Sequence, residues 1–537
     1  MFGTQLKTFL FWVLRGVSPS CLSKFYPVIW AFDRLIFRFL PLGISHRVTI
    51  SSIYYNCGFY RLAVLQYQSI LKEEKNDSLL ESVLLTDQMI QVFEKGGARG
   101  VFLNHLMATS IKDRKLSIHI CRVLFRMGEL GLCNEVLTDY YSHGSCQSPK
   151  DFLRFVKIRP YTDKFPEAGQ RHNFMPAAQM SFQGPVVFGQ SPGTRSYELT
   201  IPPLDVLTFY DVDVIGANQI IQDDNLIVVD PAANPASGFV AGSWPFVGGT
   251  SSDPDQAMVW FPFERKQILE RAILLNGRCS SNYFHFLIEY LPRSIAFLKS
   301  PSAFDKMPLI VESSLPSQFF EAIQIIFGKD KSLFYRDDFV TLRVKELFTP
   351  SYQTYLPDSL DIPFWQGGGF SKTCLEFIRA QVGTALGISF HTPHTGPENK
   401  IFLSRAKVKN RTIINQKEIE TAFEQKGYKI IFVEELSFRE QVYLFSNATH
   451  IAGQAGAALA NLIFCRPGTK VIALIAQQNS DYVLPANLAR EFGSDLIYVT
   501  GEHLRPRYSY PSDSLYIHSG FKVSLSKIRD LLKSLDY

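Results

Sequence analysis

An alternation of short apolar runs and amphipathic stretches over residues 309–474 constrains this chain more than any other feature of its sequence. The run Leu-Ile-Val-Glu at 309–312 has the length and composition of a buried strand, and 371–386 carries apolar residues at helical spacing. We predict strands at 309–312, 341–348, 400–404, 428–433, 450–453 and 470–474, and helices at 316–327, 371–386, 416–425, 437–446 and 457–464. Strands that alternate with helices of this length predict an α/β fold with parallel sheets of the doubly wound type.

Charged residues follow two of these strands, at the edge where parallel sheets bind ligands. Arg405 lies just beyond the strand 400–404, and Glu434 ends the strand 428–433. A guanidinium can pair two phosphate oxygens, and a carboxylate at a strand end can bind a ribose diol. Alone, each residue is more typical of a surface side chain or a helix cap. Their grouping on successive strand ends predicts a site for a nucleoside diphosphate.

The segment HIAGQAGAALAN, residues 450–461, leads from a strand through a small-residue turn into a helix. Small residues let backbone N–H groups approach a ligand, and a helix N-terminus favours an anion. The pattern is neither a Walker loop nor a dinucleotide-binding glycine motif. The alternative to a phosphate cradle is tight packing between the strand and the helix.

Four polar residues are spaced for one helical face in the segment NYFHFLIEYLPR, residues 282–293: Asn282, His285, Glu289 and Arg293. Such a face is costly to bury unless it has a function or forms a closed network. His285 can accept a proton from an attacking hydroxyl, and Glu289 can orient its ring. The alternative is a capped helix start with a structural ion pair.

These segments resemble glycosyltransferase family 61, whose members are often described as capsular polysaccharide biosynthesis proteins. The resemblance runs in order through NYFHFLIEYLPR, IFLSRAKVKNRTIINQKEIE, VEELSFREQVYLF and IAGQAGAALANLIF. It extends over residues 200–475, and the first 150 residues of the chain lie outside it. It implies a GT-B architecture, in which two Rossmann-like domains face a cleft. It also implies an inverting transfer from a nucleotide sugar, without an obligatory metal and without a cofactor.

The resemblance also implies roles for individual positions. We predict catalytic roles for His285, Glu289 and Asn282. We predict donor binding by Arg293, Arg405, Arg411, Asn415, Glu434, Gly453, Gln454, Gly456, Ala457 and Asn461. Ser437 and Gln441 also match the family pattern. The family usually reads Gly-x-His-Gly-Ala where this chain has Gly453-Gln454-Ala455-Gly456-Ala457, so Gln454 is the candidate substitute for the missing imidazole.

The predicted function is an inverting transfer of a sugar from a UDP-linked donor to a hydroxyl of a glycan or other acceptor, in cell-surface polysaccharide synthesis. The rival prediction is a catalytically inactive transferase fold that acts as a scaffold through its helical arm, and Ala455 is its main support. A hydrolase is disfavoured because the chain contains no GxSxG nucleophile elbow and no HExxH helix.

The N-terminal segment 1–48 carries the whole basic excess of the chain. It holds six basic residues and one acidic residue, Asp33, so its own net charge of +5 equals the net charge of all 537 residues. A protein with so little excess charge is not expected to bind nucleic acid. Arg34 and Arg38 lie one helical turn apart among aromatic residues, which favours peripheral contact with a membrane surface. The alternative is a helix docked on the protein itself.

Three further regions complete the predicted organisation. Residues 49–150 read as helical hairpins similar to tetratricopeptide repeats, either an array that binds a protein partner or a cap on the next domain. Residues 160–390 form a β-rich segment and the first, acceptor-side Rossmann-like domain, and 391–537 form the second, donor-side domain. The pair Asp211 and Asp213 resembles a metal-binding DxD, although isolated DxD pairs are frequent accidents.

The eight cysteines are scattered and show no zinc-site spacing. In a chain of this length, such cysteines are typical of small buried side chains in a reducing compartment. We therefore predict a cytoplasmic protein, peripheral on the inner face of a membrane where the N-terminal segment binds.

Overall fold

A computed structural model of the chain describes most of residues 153–535 and parts of 51–139. The described ranges are 60–72, 87–112, 153–160, 169–191, 196–215, 219–229, 247–249, 256–260, 267–277, 280–336, 341–355, 368–406, 411–504 and 519–535, with shorter pieces between 51 and 139 and residue 516. The chain divides into two compact units, Met1–Pro149 with His503–Gly520, and Lys150–Glu502 with Phe521–Tyr537.

The first unit contains helices Tyr60–Lys72, Asp87–Lys95 and Arg99–Lys112. Phe93 stacks on Phe102 with 4.4 Å between ring centroids, and Arg99 forms ion pairs with Glu94 and Glu129, each at 2.8 Å. These described parts of 49–150 are helical, and the tetratricopeptide-like arrangement stays a prediction. The segment 1–48 lies outside the described residues. None of the helices that the structure describes has the length and apolar character needed to cross a bilayer.

The second unit contains a large sheet of eleven strands. The strands that the structure describes between residues 153 and 350 include all members of this sheet and three other strands. In chain order they are β1 (Leu153–Pro160), β2 (Gly169–Met175), β3 (Ala178–Gln183), β4 (Val186–Val187), β5 (Ser196–Ile201), β6 (Leu204–Ile215), β7 (Gln219–Gln222), β8 (Asn225–Val228), β9 (Val247–Gly249), β10 (Gln256–Trp260), β11 (Gln267–Leu274), β12 (Leu309–Glu312), β13 (Leu333–Arg336) and β14 (Leu342–Pro350). The three that lie outside the sheet are β3, β4 and β5. Their order in the sheet is β13-β12-β11-β14-β6-β7-β8-β1-β10-β9, with β2 beside β6, whereas β3 pairs with β5. Strands β11 to β14 pair in parallel, and β6 joins β14 antiparallel.

A second sheet of seven strands lies in the same unit. After the short pair β15 (Thr354–Tyr355) and β16 (Gly369–Phe370), the strands are β17 (Lys400–Leu403), β18 (Lys429–Ile431), β19 (His450–Gln454), β20 (Lys470–Ala476), β21 (Asp495–His503) and β22 (Phe521–Val523). Their order is β18-β17-β19-β20-β21-β22, and β4 pairs with β21. Strands β17 to β21 are parallel, so their carboxyl ends share one edge.

Four helices lie where the alternation predicted them, at Ser317–Phe327, Lys372–Leu386, Gln416–Glu424 and Phe438–Asn447. The structure also contains the helix Leu484–Glu491 and, after the last strand, the helix Leu525–Leu535. The helix Ala457–Phe464 lies where it was predicted, but it is a 3₁₀ helix, with Leu459 N–H donating to the carbonyl of Gly456 at 3.0 Å. The mixed α/β class with parallel sheets is confirmed. Two Rossmann-like domains of GT-B type remain a prediction.

One apolar cluster includes residues from both sheets. It joins Ile273 and Leu309 of the large sheet to Leu403 and Ile451 of the smaller sheet. The apolar side chains of the segment 284–297, including Phe286, belong to the same cluster. The segment that carries the first polar motif is therefore anchored in the apolar core that the two sheets share.

Candidate active site

The strand order of the smaller sheet reverses between β17 and β19. The chain continues from β17 to β18 on one side and from β19 to β20 on the other. The connections leave the sheet in opposite directions, so a crevice opens at the carboxyl ends of these two strands, where open α/β sheets bind ligands. Gly453 permits the close pairing here, because a Cβ at its φ of 154° would lie 2.7 Å from the carbonyl oxygen of Leu403.

Two arginines stand at this crevice, and the sequence predicted both. The Arg405 guanidinium rests against Gly456, where an added Cβ would lie 2.2 Å from Nη1. Burial and the neighbouring Arg411 lower the pKa of Arg405 to about 10, while the Glu434 carboxylate opposes this shift. Burial also lowers the pKa of Arg411. Two like charges held this close together favour an anion between them.

The Nε atoms of both guanidiniums have no acceptor among the residues that the structure describes. Both atoms, in Arg405 and in Arg411, are buried. Glu434 lies in the 3₁₀ turn Val433–Glu435 after β18 and is exposed. The structure therefore brings Arg405, Arg411, Glu434 and the turn at Gly456 to one edge of the smaller sheet.

Gln454 ends β19 and is buried, with 4% of its surface exposed. Its Nε2 donates a hydrogen bond to the backbone carbonyl of Arg411. Its Oε1 is buried without a hydrogen-bond partner among the described residues. Arg411 has a φ of 55°, which a residue other than glycine seldom adopts.

The first polar motif forms an irregular helix. Asn282 caps its start by accepting a hydrogen bond from the N–H of Phe284 at 2.9 Å. An α-helical turn Tyr283–His285 passes into a π-helical turn Phe286–Tyr290 and then into a 3₁₀ turn Leu291–Ser294. Pro292 lacks an N–H and cannot continue a regular helix, and π-helical turns are frequent at functional sites.

His285 and Glu289 contact each other as their spacing predicted. His285 Nδ1 lies 2.5 Å from Glu289 Oε1. The carboxylate is buried, whereas 23% of the His285 side chain is exposed. With Nδ1–H donated to the carboxylate, Nε2 of His285 carries a lone pair that can accept a proton.

Arg293 is not brought to the other predicted donor ligands. Its guanidinium is 1% exposed, donates to the carbonyl of Pro350 at 2.6 Å and also donates to the carbonyl of Leu275. The rings of Tyr290 and Tyr352 lie 5.1 and 4.5 Å from its Cζ. These carbonyls lie at the ends of β14 and β11, where the strand order of the large sheet reverses. Arg293 fills that position itself, since the π and 3₁₀ turns separate it from the His285 face.

Asn415 and Asn461 also have their polar groups engaged within the protein. Asn415 exchanges two hydrogen bonds with the backbone of Val523, at 2.8 and 3.2 Å. Asn461 accepts from the Tyr283 hydroxyl at 2.7 Å and donates to Gln441 at 2.9 Å. Ser437 caps the helix Phe438–Asn447 in a capping box. These residues hold the framework of the site together.

Sequence reasoning missed Tyr482. Burial raises the pKa of its phenol, the Glu289 charge raises it further, and the Arg411 charge opposes both. Tyr482 thus lies near the carboxylate of the first motif and near one guanidinium of the smaller sheet. Its position beyond the carboxyl end of β20 was a usable signal, because ligands bind at that edge.

The Asp211 and Asp213 pair faces Arg343. Arg343 lies opposite Asp213 in the β14–β6 ladder, 3.4 Å from the Asp213 carboxylate and 4.0 Å from that of Asp211. An arginine on the same face accounts for this pair without a metal. Within the described ranges, no cluster of three or more His, Cys, Asp or Glu side chains is arranged to hold a metal ion.

Comparison with known proteins gives a match to one family. No curated protein matches the chain. The family model described as Glycosyltransferase 61 matches residues 283–472. The matched region begins next to the cap at Asn282 and contains the His285–Glu289 pair, both arginines, Gln454 and the turn at Gly456. Residues 283–472 therefore match glycosyltransferase family 61, and this match supports a glycosyltransferase.

Proposed function

We propose that the protein is an inverting glycosyltransferase of GT-B type that uses a UDP-linked sugar donor. The observation that carries the proposal is the pair Arg405 and Arg411, two partly buried guanidiniums at the strand-order reversal of the smaller sheet whose Nε atoms have no acceptor among the described residues. Two neighbouring positive charges at such an edge suit the two phosphates of a nucleotide sugar.

In this proposal the donor diphosphate lies between the two guanidiniums and the turn from Gly453 to Ala457. Each guanidinium can pair phosphate oxygens in a bidentate manner. The diphosphate gains negative charge as it leaves the sugar, so fixed cations at this place stabilise the transition state more than the bound donor. The exposed Glu434 carboxylate beside Arg405 is the proposed acceptor of hydrogen bonds from the ribose hydroxyls.

His285 is the proposed base. The acceptor hydroxyl oxygen attacks the anomeric carbon on the face opposite the diphosphate, a new C–O bond forms, and the bond to the diphosphate oxygen breaks. The hydroxyl proton moves to Nε2 of His285, while Nδ1–H remains on Glu289, 2.5 Å away. The buried carboxylate stabilises the resulting imidazolium. In this proposal Asn282 acts as the cap that fixes the start of the His285 turn.

A donor screen tests the proposal. Purified protein is incubated with UDP- and GDP-sugars and a panel of glycan acceptors, and release of the nucleoside diphosphate is measured. We expect acceptor-dependent release with at least one UDP-sugar, and loss of that release in the variants Arg405→Ala and His285→Ala. Acceptor-dependent release with GDP-sugars alone would reject the UDP assignment.

The second candidate function is a scaffold with a transferase fold but no activity. The observation that favours it is Ala455, a small residue where the family pattern has an imidazole. Titration calorimetry with UDP separates the two functions, because a scaffold that has lost its donor site takes up no UDP. Binding of UDP that depends on Arg405 would favour the transferase.

The cellular setting is also proposed from the sequence. The acceptor would be a growing cell-surface polysaccharide, and the basic segment 1–48 would hold the enzyme at the cytoplasmic face of a membrane. Sedimentation with anionic vesicles at low salt tests this, with the charge reversals Arg34→Glu and Arg38→Glu as the comparison. Absence of binding by the full chain would rule out the membrane contact. The helical region 49–150 is the proposed site for a protein partner.

A further inference from the structure

We infer that Gln454 is a positioning residue that holds Arg411 beside Arg405. The inference rests on the proposed donor site and assigns to Gln454 a role other than contact with phosphate. One of the two N–H groups of its side-chain amide already donates to the Arg411 carbonyl, and its oxygen is an acceptor. Because an acceptor oxygen repels a phosphate oxygen, we assign the side chain to the support of Arg411.

The backbone of Arg411 requires such support. Its φ of 55° lies in the left-handed region, which is unfavourable for a side chain that carries a Cβ. Strained backbone of this kind persists where the surroundings fix it, and it clusters at functional sites. The hydrogen bond from Gln454 fixes the carbonyl of Arg411 and thereby the direction of its peptide plane.

Electrostatics acts against the observed arrangement of the two arginines. The guanidiniums of Arg405 and Arg411 are close enough for one charge to lower the pKa of the other. Like charges in a partly buried place move apart unless something holds them. Arg405 lies against Gly456. The residues after Arg411 pair with Phe521, and the hydrogen bond from Gln454 holds the Arg411 carbonyl itself.

Gln454 is rigid enough for this task. It is the last residue of β19, it pairs with Leu474 of β20, and it is 4% exposed. Because the sheet fixes the backbone of Gln454, the hydrogen bond from its side chain fixes the Arg411 carbonyl relative to the sheet. The side chain of leucine is similar in size but cannot donate a hydrogen bond.

A double-mutant cycle tests the inference. Affinities for UDP and for inorganic pyrophosphate are measured by calorimetry for the wild type, Gln454→Leu, Arg411→Ala and the double variant. Gln353→Leu is the matched control, because Gln353 is also buried and also donates its side-chain nitrogen to a backbone carbonyl, that of Pro202. Thermal unfolding reports whether each variant is folded, and Gln454→Met is a second variant in case the leucine does not fit.

If Gln454 acts through Arg411, Gln454→Leu weakens both ligands by the same factor of about ten, the loss expected for one misplaced charged hydrogen bond. It then adds nothing in the Arg411→Ala background, since the two effects are coupled. Gln353→Leu leaves both affinities unchanged.

Three results would overturn the inference. These are unchanged affinity in both Gln454 variants, additive losses in the double variant, or a loss for UDP with no loss for pyrophosphate, which would indicate direct contact with the nucleoside. A wild type that binds neither ligand would instead reject the proposed donor site, and with it this role of Gln454.

Discussion

The hydroxyl of Tyr283 donates a hydrogen bond to Oδ1 of Asn461, with 2.7 Å between the two oxygens. Tyr283 lies two residues before His285, and Asn461 lies in the 3₁₀ helix that follows the crevice turn at Gly456. Asn461 is fully buried, and its side-chain nitrogen donates a second hydrogen bond to Gln441 at 2.9 Å. Burial raises the pKa of Tyr283, so the phenol remains a donor. One hydrogen bond thus joins the segment of the proposed base to the edge of the proposed donor site.

Tyr283→Phe should destabilise the protein and slow turnover. The change removes one hydrogen bond and leaves Asn461 Oδ1 buried without a donor, which costs about 1–3 kcal/mol of unfolding free energy. Denaturant unfolding measures the loss. Tyr443→Phe is the control, because its hydroxyl donates to the carbonyl of Leu386 at 3.1 Å on a more exposed side chain. If both variants lose the same free energy of unfolding, the Tyr283 hydrogen bond contributes no more to stability than the more exposed one at Tyr443.

Arg405→Ala should weaken UDP binding far more than it changes stability. Loss of a charge-assisted contact costs about 1.5–3 kcal/mol of binding free energy. The free energy of unfolding should change little, because Nε has no hydrogen-bond partner among the described residues and Arg411 opposes its charge. Calorimetry and thermal unfolding give the two quantities. Arg439→Ala, at a more exposed arginine that pairs with Glu321, serves as the control. Unchanged UDP affinity in the folded Arg405 variant would exclude this arginine from the donor site.

Gly456→Ala should reproduce most of the binding defect without removing a charge. The new Cβ would lie 2.2 Å from Arg405 Nη1, so the guanidinium has to move. We expect UDP affinity to fall by about tenfold, the effect of one misplaced charged hydrogen bond. Gly396→Ala is the control, since no heavy atom lies within 4 Å of a Cβ at that position. A variant that binds UDP normally would mean that Arg405 can bind phosphate from a different position.

His285→Ala should reduce the turnover number by about 10²–10⁴ while UDP affinity stays nearly unchanged, because a general base acts on the acceptor and not on the donor. Glu289→Gln should also lower turnover, since a neutral amide does not stabilise the imidazolium. Steady-state kinetics at saturating donor separates the two effects. The exposed His391→Ala serves as the comparison. Loss of UDP affinity with retained turnover would make His285 a donor ligand and Glu289 the better candidate base.

Local pattern was sufficient for much of the fold. Strand β12 at Leu309–Glu312 and the 3₁₀ helix Ala457–Phe464 have the predicted bounds, because apolar periodicity and turn residues act over a few neighbours. The same locality explains the His285–Glu289 contact, which needs only residues four apart on a helical turn. Arg293 also lies four residues after Glu289, yet its guanidinium contacts the carbonyls of Pro350 and Leu275 instead of the His285 side chain. The π and 3₁₀ turns change the number of residues per turn, and spacing alone does not report that change.

The sequence by itself determined which segments become strands and helices, which of them carry polar residues at their ends, and which family model residues 283–472 match. Only the tertiary structure decided which strand ends adjoin. Arg405, Arg411 and Gln454 meet because β17 pairs with β19, and Arg293 is engaged elsewhere because β11 pairs with β14. Strand order depends on the packing of helices and sheets over long distances along the chain. Local periodicity contains no information about it, so sequence reasoning included Arg405 and Arg411 but missed Tyr482 and did not separate Arg293 from them.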